Sequence, residues 1–132
     1  MSFLINTDIV IYSIKGHTSV NENFRLHLEA PKLLSVLTYG ELYFGAKKSK
    51  HVEKNLAVVR RVAELFPLID VTPAIVESFG ELKANLQKRG TPLDDMDLLI
   101  AATALVHGLV LVTNNEKHFK KIRGLDVVNW AR

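Results

Sequence analysis

The sequence predicts an α/β protein of three layers, in which a central parallel sheet of four to five strands lies between helices. Phe3, Leu4 and Ile5 form an apolar run without polar alternation, which is typical of a strand buried on both faces of a parallel sheet. Similar runs follow, separated by helical patterns, and this alternation indicates parallel pairing through crossover connections. The chain has 132 residues, 48% of them hydrophobic, without repeats or linkers, so we expect one domain over 1–132.

The helices are predicted from apolar spacing and from residues that start or stop a helix. Val20, Phe24 and Leu28 recur every four residues, which is the spacing of a buried helical stripe. Thr72 followed by Pro73 is a typical helix start. Residues 97–106 are almost wholly apolar, which predicts a helix in the domain centre. In order we expect strand 3–5, helices 8–14 and 19–29, strand 33–37, helix 38–47, a helix between 50 and 67, strand 68–71, a helix between 72 and 90, helix 97–106, strand 109–112, a short helix within 113–119 and an edge strand 125–128.

Polar residues gather where the predicted strands end or the helices start. Ligands of open α/β sheets bind beyond the carboxyl ends of the strands, so these residues could converge on one edge of the sheet. Oxygen ligands of this kind suit Mg²⁺ or Mn²⁺, and a cation would offset the repulsion between carboxylates. The candidates are Asn6, Asp8, Glu41, Asp97, Asn115 and Glu116.

Each of these residues also has a purely structural interpretation. Asn6 or Asp8 could cap the following helix. The segments 38–41 and 113–116 both match a capping box, in which a Thr and a Glu three residues later bond each other's backbone amides. Asp94, Asp95 and Asp97 could cap the buried helix or favour its positive end. Taken singly, these interpretations are at least as good as a metal site.

Composition excludes several classes of function. The absence of cysteine removes disulfides and thiolate metal sites and is compatible with a reducing cytoplasm. No apolar stretch approaches the ~20 residues of a membrane span, and we expect no membrane association. Nucleotide-binding glycine motifs and the GxSxG elbow are missing. The charge of +3 comes from short basic clusters that could meet phosphates or could be solvated helix faces.

Four spaced segments resemble the PIN-domain ribonucleases and, more narrowly, the VapC toxins of bacterial toxin–antitoxin pairs. The segments are FLINTDIVIYSIKG, SVLTYGELYFGAKKS, GTPLDDMDLLIAATAL and LVTNNEKHFKKIRGLDVVNW, in family order over nearly the whole chain. The resemblance implies a PIN-like fold and RNA cleavage with Mg²⁺ or Mn²⁺. It implies transfer RNA as the substrate, a VapB-like antitoxin as the partner, a homodimer and a place in the cytoplasm.

The resemblance also assigns roles to residues. Glu41 and Asp97 match family acids, and Asn6 stands where the family's first motif has an aspartate. These three would hold the metal, and Asn115 would join them in the catalytic set. Four further residues would contact these ligands without binding the metal: Asp8, Thr113, Glu116 and His118. In the family, an acid is common at the position of His118. For Tyr39, Tyr43 and Phe44 we favour a groove that takes the antitoxin, although core packing is the alternative.

Asn6 is the most important departure from the family pattern. An amide oxygen can touch a metal but brings no charge and cannot act as a base. We therefore expect weak metal binding and slow cleavage, as in a substituted, inactivated form of an active toxin. The alternatives are a naturally inactive copy, a site re-centred on Asp8, or a non-catalytic PIN-fold module that binds RNA or protein.

Overall fold

The computed structural model describes residues 1–132 and contains one parallel sheet of five strands. The strand order is β3-β2-β1-β4-β5, so the first strand lies in the middle. This confirms the predicted α/β class and its central parallel sheet. The strands are β1 (Phe3–Ile5), β2 (Lys32–Ser35), β3 (Leu68–Ile69), β4 (Val110–Val112) and β5 (Val127–Val128).

Seven helices connect and flank these strands. None of them has the length and apolar character that crossing a membrane would require. They are α1 (Thr7–Ile14), α2 (Thr18–Leu26), α3 (Val36–Lys47), α4 (Val52–Leu65), α5 (Pro73–Lys88), α6 (Asp95–His107) and α7 (Glu116–Phe119).

The central strand is buried on both faces, as its sequence predicts. Phe3 and Ile5 belong to one core of 14 buried residues, which also contains Trp130 and parts of α1, α3 and α4. Leu4 points to a second core of 13 buried residues, built largely on α6 and β4. Alternate residues of β1 thus serve opposite cores, which explains the unbroken apolar run and produces three layers.

Most helix signals are confirmed, but the start of α3 is not. The Thr72 hydroxyl accepts a hydrogen bond from the Ile75 amide, so Thr72 caps α5. Helix α3 begins at Val36, two residues before the predicted start at Thr38, and Ser35 is its cap. Strand β2 is correspondingly shorter than predicted. The apolar run continues past Ser35, so periodicity alone gave no sign of the boundary.

All carboxyl ends of the strands face one edge of the sheet because every pairing is parallel. After β1 the chain moves outward to β2 and β3, then returns to the other side of β1 with β4 and β5. The order therefore reverses between β1 and β4, and such a switch point is the usual ligand site of an open α/β sheet. We call this carboxyl end of β1 and β4 the site edge.

Candidate metal and nuclease site

The Thr113 hydroxyl joins the ends of β1 and β4 at the site edge. Its oxygen accepts hydrogen bonds from Asn6 Nδ2 at 3.2 Å and from the Asn115 amide at 3.0 Å. The hydroxyl donates to Asp8 Oδ2 at 3.1 Å, and the Asn114 amide donates to the same oxygen at 2.9 Å. Thr113 is fully buried, so this hydroxyl is a fixed part of the site. Asn6 occupies the N-cap position of α1 without a side-chain cap hydrogen bond, whereas Asp8 bonds both the β4 loop and, through Oδ1, the Ile9 amide in the first turn of α1 at 2.9 Å.

Glu41 is held by α1 instead of by its own helix. Its Oε1 accepts a hydrogen bond of 2.6 Å from the Thr7 hydroxyl, and Thr7 Oγ1 lies 3.2 Å from Thr38 Oγ1. The capping-box interpretation of Glu41 is wrong, because Thr38 is buried inside α3 and Ser35 caps that helix. The contact instead brings Glu41 next to the residue that follows Asn6.

Asp97 lies in the first turn of α6, and Asp94 caps that helix, as one of the structural interpretations predicts. The Asp97 amide donates to Asp94 Oδ1 at 2.9 Å. Burial raises the pKa of Asp97, and the negative charge of Asp94 adds to this effect, while His118 opposes it. A carboxylate in that position gains from a nearby cation, because a positive charge offsets both burial and repulsion.

His118 and Asn115 complete the contacts around Asp97. His118 Nδ1 lies 2.8 Å from Asn115 Nδ2 and 3.5 Å from Asp97 Oδ2. The prediction that His118 is the histidine near the site agrees with this geometry. The fully buried Phe119 anchors α7, which carries His118, to the core.

Hydrogen bonds and adjacent backbone therefore link most of the predicted site residues into one network. The Asn115 amide is bonded to Thr113, and the Asn115 side chain contacts His118, which faces Asp97. On the other side, Thr113 is bonded to Asn6, whose neighbour Thr7 holds Glu41. Sequence analysis missed Thr7 as a part of the site. Its position between Asn6 and Asp8 was the available signal, since all three follow the end of β1.

The ligand atoms at the site are of a type that divalent cations bind, but only two of the side chains that carry them are negatively charged. Carboxylate oxygens of Glu41 and Asp97 and the amide oxygen of Asn6 are hard ligands of the type that Mg²⁺ and Mn²⁺ take. No group of three or more His, Asp and Glu side chains is close enough to hold a metal ion. With Asn6 in the set, two carboxylates remain where an aspartate would give a third.

Glu116 faces the C-terminal segment. Its carboxylate accepts a hydrogen bond of 3.0 Å from Asn129 Nδ2 and forms ion pairs with Arg132 and Lys120. The Asn129 hydrogen bond, aided by both positive charges, lowers the pKa of Glu116. The capping-box interpretation of 113–116 is wrong, because α7 begins at Glu116 and the Thr113 amide donates to Val128. Glu116 thus fixes the loop that carries Asn115.

The aromatic residues of α3 lie partly at the surface. Tyr39 packs on the core edge-to-face with Tyr43, their rings 6.3 Å apart, and Phe44 is 64% exposed. None of the three lines the apolar grooves beside α1, α2 and α4, so their antitoxin role stays a prediction. The groove nearest the site is about 240 Å³ and includes Glu41 among its lining residues.

Comparison with known proteins identifies first the domain family of this chain and then the group of proteins within that family. A family model described as PIN domain matches residues 3–125. The chain is 34% identical to the tRNA(fMet)-specific endonuclease VapC of Shigella flexneri over 99% of both chains. It is 36% identical to Ribonuclease VapC2 of Haemophilus influenzae, again over 99% of both. The chain belongs to the PIN-domain family and, within it, to the VapC ribonuclease toxins.

Solved structures agree with this membership. VapBC2 from Rickettsia felis, bound to a DNA fragment from its promoter, has a chain that superimposes with a TM-score of 0.91. That chain is 32% identical and the match covers 98% of this chain and 99% of the other. DNA-bound VapBC from Salmonella typhimurium gives a TM-score of 0.91 at 34% identity, over 98% of each chain. The predicted resemblance to VapC is confirmed.

Proposed function

We propose that this chain is the toxin of a VapBC-type pair, a divalent-metal-dependent endoribonuclease whose activity is reduced by Asn6. The main support is the hydrogen-bond network that joins Asn6, Glu41 and Asp97 through their neighbours at the site edge. Helix capping explains the position of Asp94, and the positive end of α6 favours Asp97 in its first turn, but neither explains why Glu41 is bonded to Thr7 beside Asn6. A shared cation accounts for that placement.

Asn6, Glu41 and Asp97 would hold the ion, which supplies an activated water and stabilises the charge that builds on the phosphate. The neighbours of these residues keep them in place. Thr7 fixes one oxygen of Glu41 at 2.6 Å and leaves the other free. Asp94 fixes the first turn of α6 and so the backbone of Asp97. Asp8 acts through Thr113 and the 114 amide, which makes it a positioning residue rather than a ligand.

The substitution at position 6 should weaken ion binding more than it disturbs the fold. Asn6 Nδ2 donates to Thr113, so the amide is well accommodated. Its cost is the missing negative charge, since an amide oxygen is a neutral ligand. We infer that the chain is an inactivated form of an active toxin, with a naturally inactive copy as the alternative. The commitment of Asp8 to Thr113 and Asn114 speaks against a site re-centred on Asp8.

Transfer RNA is the substrate we propose. One relative's name specifies a transfer RNA, and the basic clusters on this surface suit a phosphate backbone. Binding by such residues weakens as salt rises, because it depends on counterion release. The exposed clusters are Lys47 and Lys48 at the end of α3, Lys50, Lys54, Arg60 and Arg61 on and before α4, Lys88 and Arg89 at the end of α5, and Lys117, Lys120, Lys121 and Arg123 around α7.

The partner we propose is a VapB-like antitoxin, and the active unit a homodimer. Support for the antitoxin comes from the solved VapBC assemblies that this fold matches. The groove beside Glu41 contains Ile11 and Ile14, which are 38% and 48% exposed. An apolar antitoxin segment in this groove would end at a catalytic residue and could block it. Tyr43 and Phe44 offer a second apolar surface for the same partner.

The test is a cleavage assay with the Asn6→Asp chain on total transfer RNA, with and without Mg²⁺ or Mn²⁺. We expect discrete cleavage that EDTA abolishes, at least tenfold faster than with Asn6. The matched control is Asn85→Asp, which adds the same charge on the exposed face of α5, where Asp can still accept the Arg89 hydrogen bond. Equal rates for Asn6 and Asn6→Asp would count against the proposal.

A second candidate function is a non-catalytic module that binds RNA or protein with the same fold. Asn6 is the observation that favours it, together with the absence of a group of three ionisable ligands. The two functions differ in the restored chain. A catalytic toxin gains metal binding and cleavage on Asn6→Asp, whereas a binding module retains its partner and gains neither.

A further inference from the structure

Two basic clusters that are far apart in sequence meet in the fold. Arg89, directly after α5, donates a hydrogen bond from Nη2 to the Lys121 carbonyl at 2.9 Å. Arg89 and Arg123 also line the same groove of about 320 Å³ between α5, α6 and the segment after α7. The two clusters therefore form one continuous basic surface, which we call the α7 surface. Its exposed cations are Lys88, Arg89, Lys117, Lys120, Lys121 and Arg123.

The α7 surface begins at the site edge. Lys117 lies on α7 directly before His118, whose ring faces Asp97. Asn115 precedes the same helix, and its amide donates to the Thr113 hydroxyl. Every residue from 114 to 118 is polar, so no apolar patch separates the first of these cations from the site.

Most cations of the α7 surface are available to an anion. Lys120 pairs with Glu116, but Arg132 pairs with the same carboxylate, so this group of three keeps a net positive charge. The cations of the surface that form no ion pair are Lys88, Arg89, Lys117, Lys121 and Arg123. A surface of one sign attracts a polyanion and gains from the charge that the polyanion brings.

The basic residues near α4 are connected to the site differently. Glu41 lies at a groove whose α4 wall consists of Asn55, Val58 and Val59, so a largely apolar strip lies between Glu41 and the exposed cations of α4. Arg61 on that helix is already paired with Glu64. A phosphate chain that crossed the strip would lose water without gaining a partner, which costs free energy.

We propose that, among the basic clusters, the α7 surface binds the transfer RNA backbone next to the cleaved bond, so that the RNA leaves the site over α7 and the end of α5 and not over α4. The inference rests on the proposed nuclease function and adds the direction in which its substrate lies. Contacts to phosphate position a nucleic acid without reading its sequence. The surface therefore contributes affinity and orientation equally for every RNA sequence.

The experiment is fluorescence anisotropy of labelled transfer RNA with the natural chain, in EDTA to keep the RNA intact, over a series of KCl concentrations. Lys121→Gln combined with Arg123→Gln removes two cations whose side chains have no partner. We expect about tenfold weaker binding and a log–log salt slope that is flatter by about 1.4–1.8, since each lost phosphate contact is worth about 0.7–0.9. Lys54→Gln combined with Arg60→Gln removes the same charge from α4 and should leave the slope unchanged.

A crosslink locates the RNA without a change in slope. The chain has no cysteine, so a single introduced cysteine can carry a benzophenone. We expect crosslinks to transfer RNA from Arg123→Cys and none from the matched Arg60→Cys. Lys88→Gln tests the far end of the surface, and it should flatten the salt slope by about 0.7–0.9.

Four results would overturn the inference and leave the proposed function in place. They are equal losses of affinity in the two double variants, a larger loss for the α4 pair, crosslinks from position 60 instead of 123, and, for the share of α5, an unchanged slope in Lys88→Gln. A different result would remove the proposed function as well. This would be a natural chain that binds no transfer RNA at any salt concentration, together with an Asn6→Asp chain that cleaves none.

Discussion

Removal of the Thr113 hydroxyl is the perturbation that tests the network most sharply. Thr113→Val keeps the volume of this fully buried side chain and deletes its contacts with Asn6, Asp8 and the 115 amide. Two of these are neutral hydrogen bonds worth about 1 kcal/mol each, and one to a carboxylate is worth about 1.5–3 kcal/mol. Water can reach Asp8 and Asn6 in part, so we expect a loss of about 2–4 kcal/mol in the free energy of unfolding.

The assay is urea denaturation of Thr113→Val and of a matched control, Thr103→Val. Thr103 is equally buried, but its hydroxyl has a single partner, the Leu99 carbonyl at 2.8 Å. We expect the control to lose about 1 kcal/mol or less. Equal losses in the two variants would mean that Thr113 is only a core residue, and the account of the network would be wrong. In the Asn6→Asp background, Thr113→Val should also weaken Mn²⁺ binding, which Thr103→Val should leave unchanged.

Three further predictions follow from individual contacts. Burial raises the pKa of Asp97, so charged Asp97 opposes folding, and Asp97→Asn should raise the free energy of unfolding at pH 7. In denaturation curves this gain should shrink as the pH falls through the raised pKa and vanish below the ordinary aspartate pKa of 3.8. The lowered pKa of Glu116 has the opposite sign: Glu116→Gln should lower the melting temperature at pH 7, with no difference once the pH falls below the carboxylate range. Ser35→Ala removes the cap of α3, the helix that carries Glu41, and should cost about 1 kcal/mol in thermal unfolding.

Each of these predictions has an outcome that contradicts it. A gain for Asp97→Asn that does not depend on pH would mean that removal of a buried negative charge is not its source. A deficit for Glu116→Gln that persists in acid would assign the effect to packing. An unchanged melting temperature for Ser35→Ala would show that the hydroxyl does not stabilise α3. The comparison for a lost serine hydroxyl is Ser49→Ala just after the same helix, whose hydroxyl donates to the Ala46 carbonyl and accepts from Asn55 Nδ2.

The parts of the fold that depend on local signals could be predicted from sequence. The run Phe3–Ile5 and the Thr72–Pro73 start both have a physical cause within a few residues, and the structure agrees with them. The start of α3 could not be predicted, because Val36 and Leu37 suit a strand and a helix equally well. The boundary between β2 and α3 lies at Ser35, whose hydroxyl accepts a hydrogen bond from the Leu37 amide. That hydrogen bond is visible only in the folded backbone.

The candidate site also has features that the sequence predicts and features that depend on tertiary contacts. Glu41 and Asp97 were candidates from their positions near strand ends and helix starts, but only the family pattern favoured a metal ligand over a cap, since no local feature separates the two. The partner of Glu41, Thr7, lies 34 residues away in sequence, and the contact depends on the packing of α1 against α3. Two partners of Glu116 could not be predicted, because Asn129 and Arg132 approach it only after β5 has joined the sheet, whereas Lys120 is a local partner four residues further along.

The central claim is that residues 6, 41 and 97 share one ion. The most direct measurement is an anomalous difference map from crystals of the Asn6→Asp chain soaked in MnCl₂. The account predicts one peak at the carboxyl end of β1, within ligand distance of Asp97 and of the side chains at 6 and 41. A peak bonded to other residues, or density that leaves Glu41 on Thr7 with no ion nearby, would contradict it.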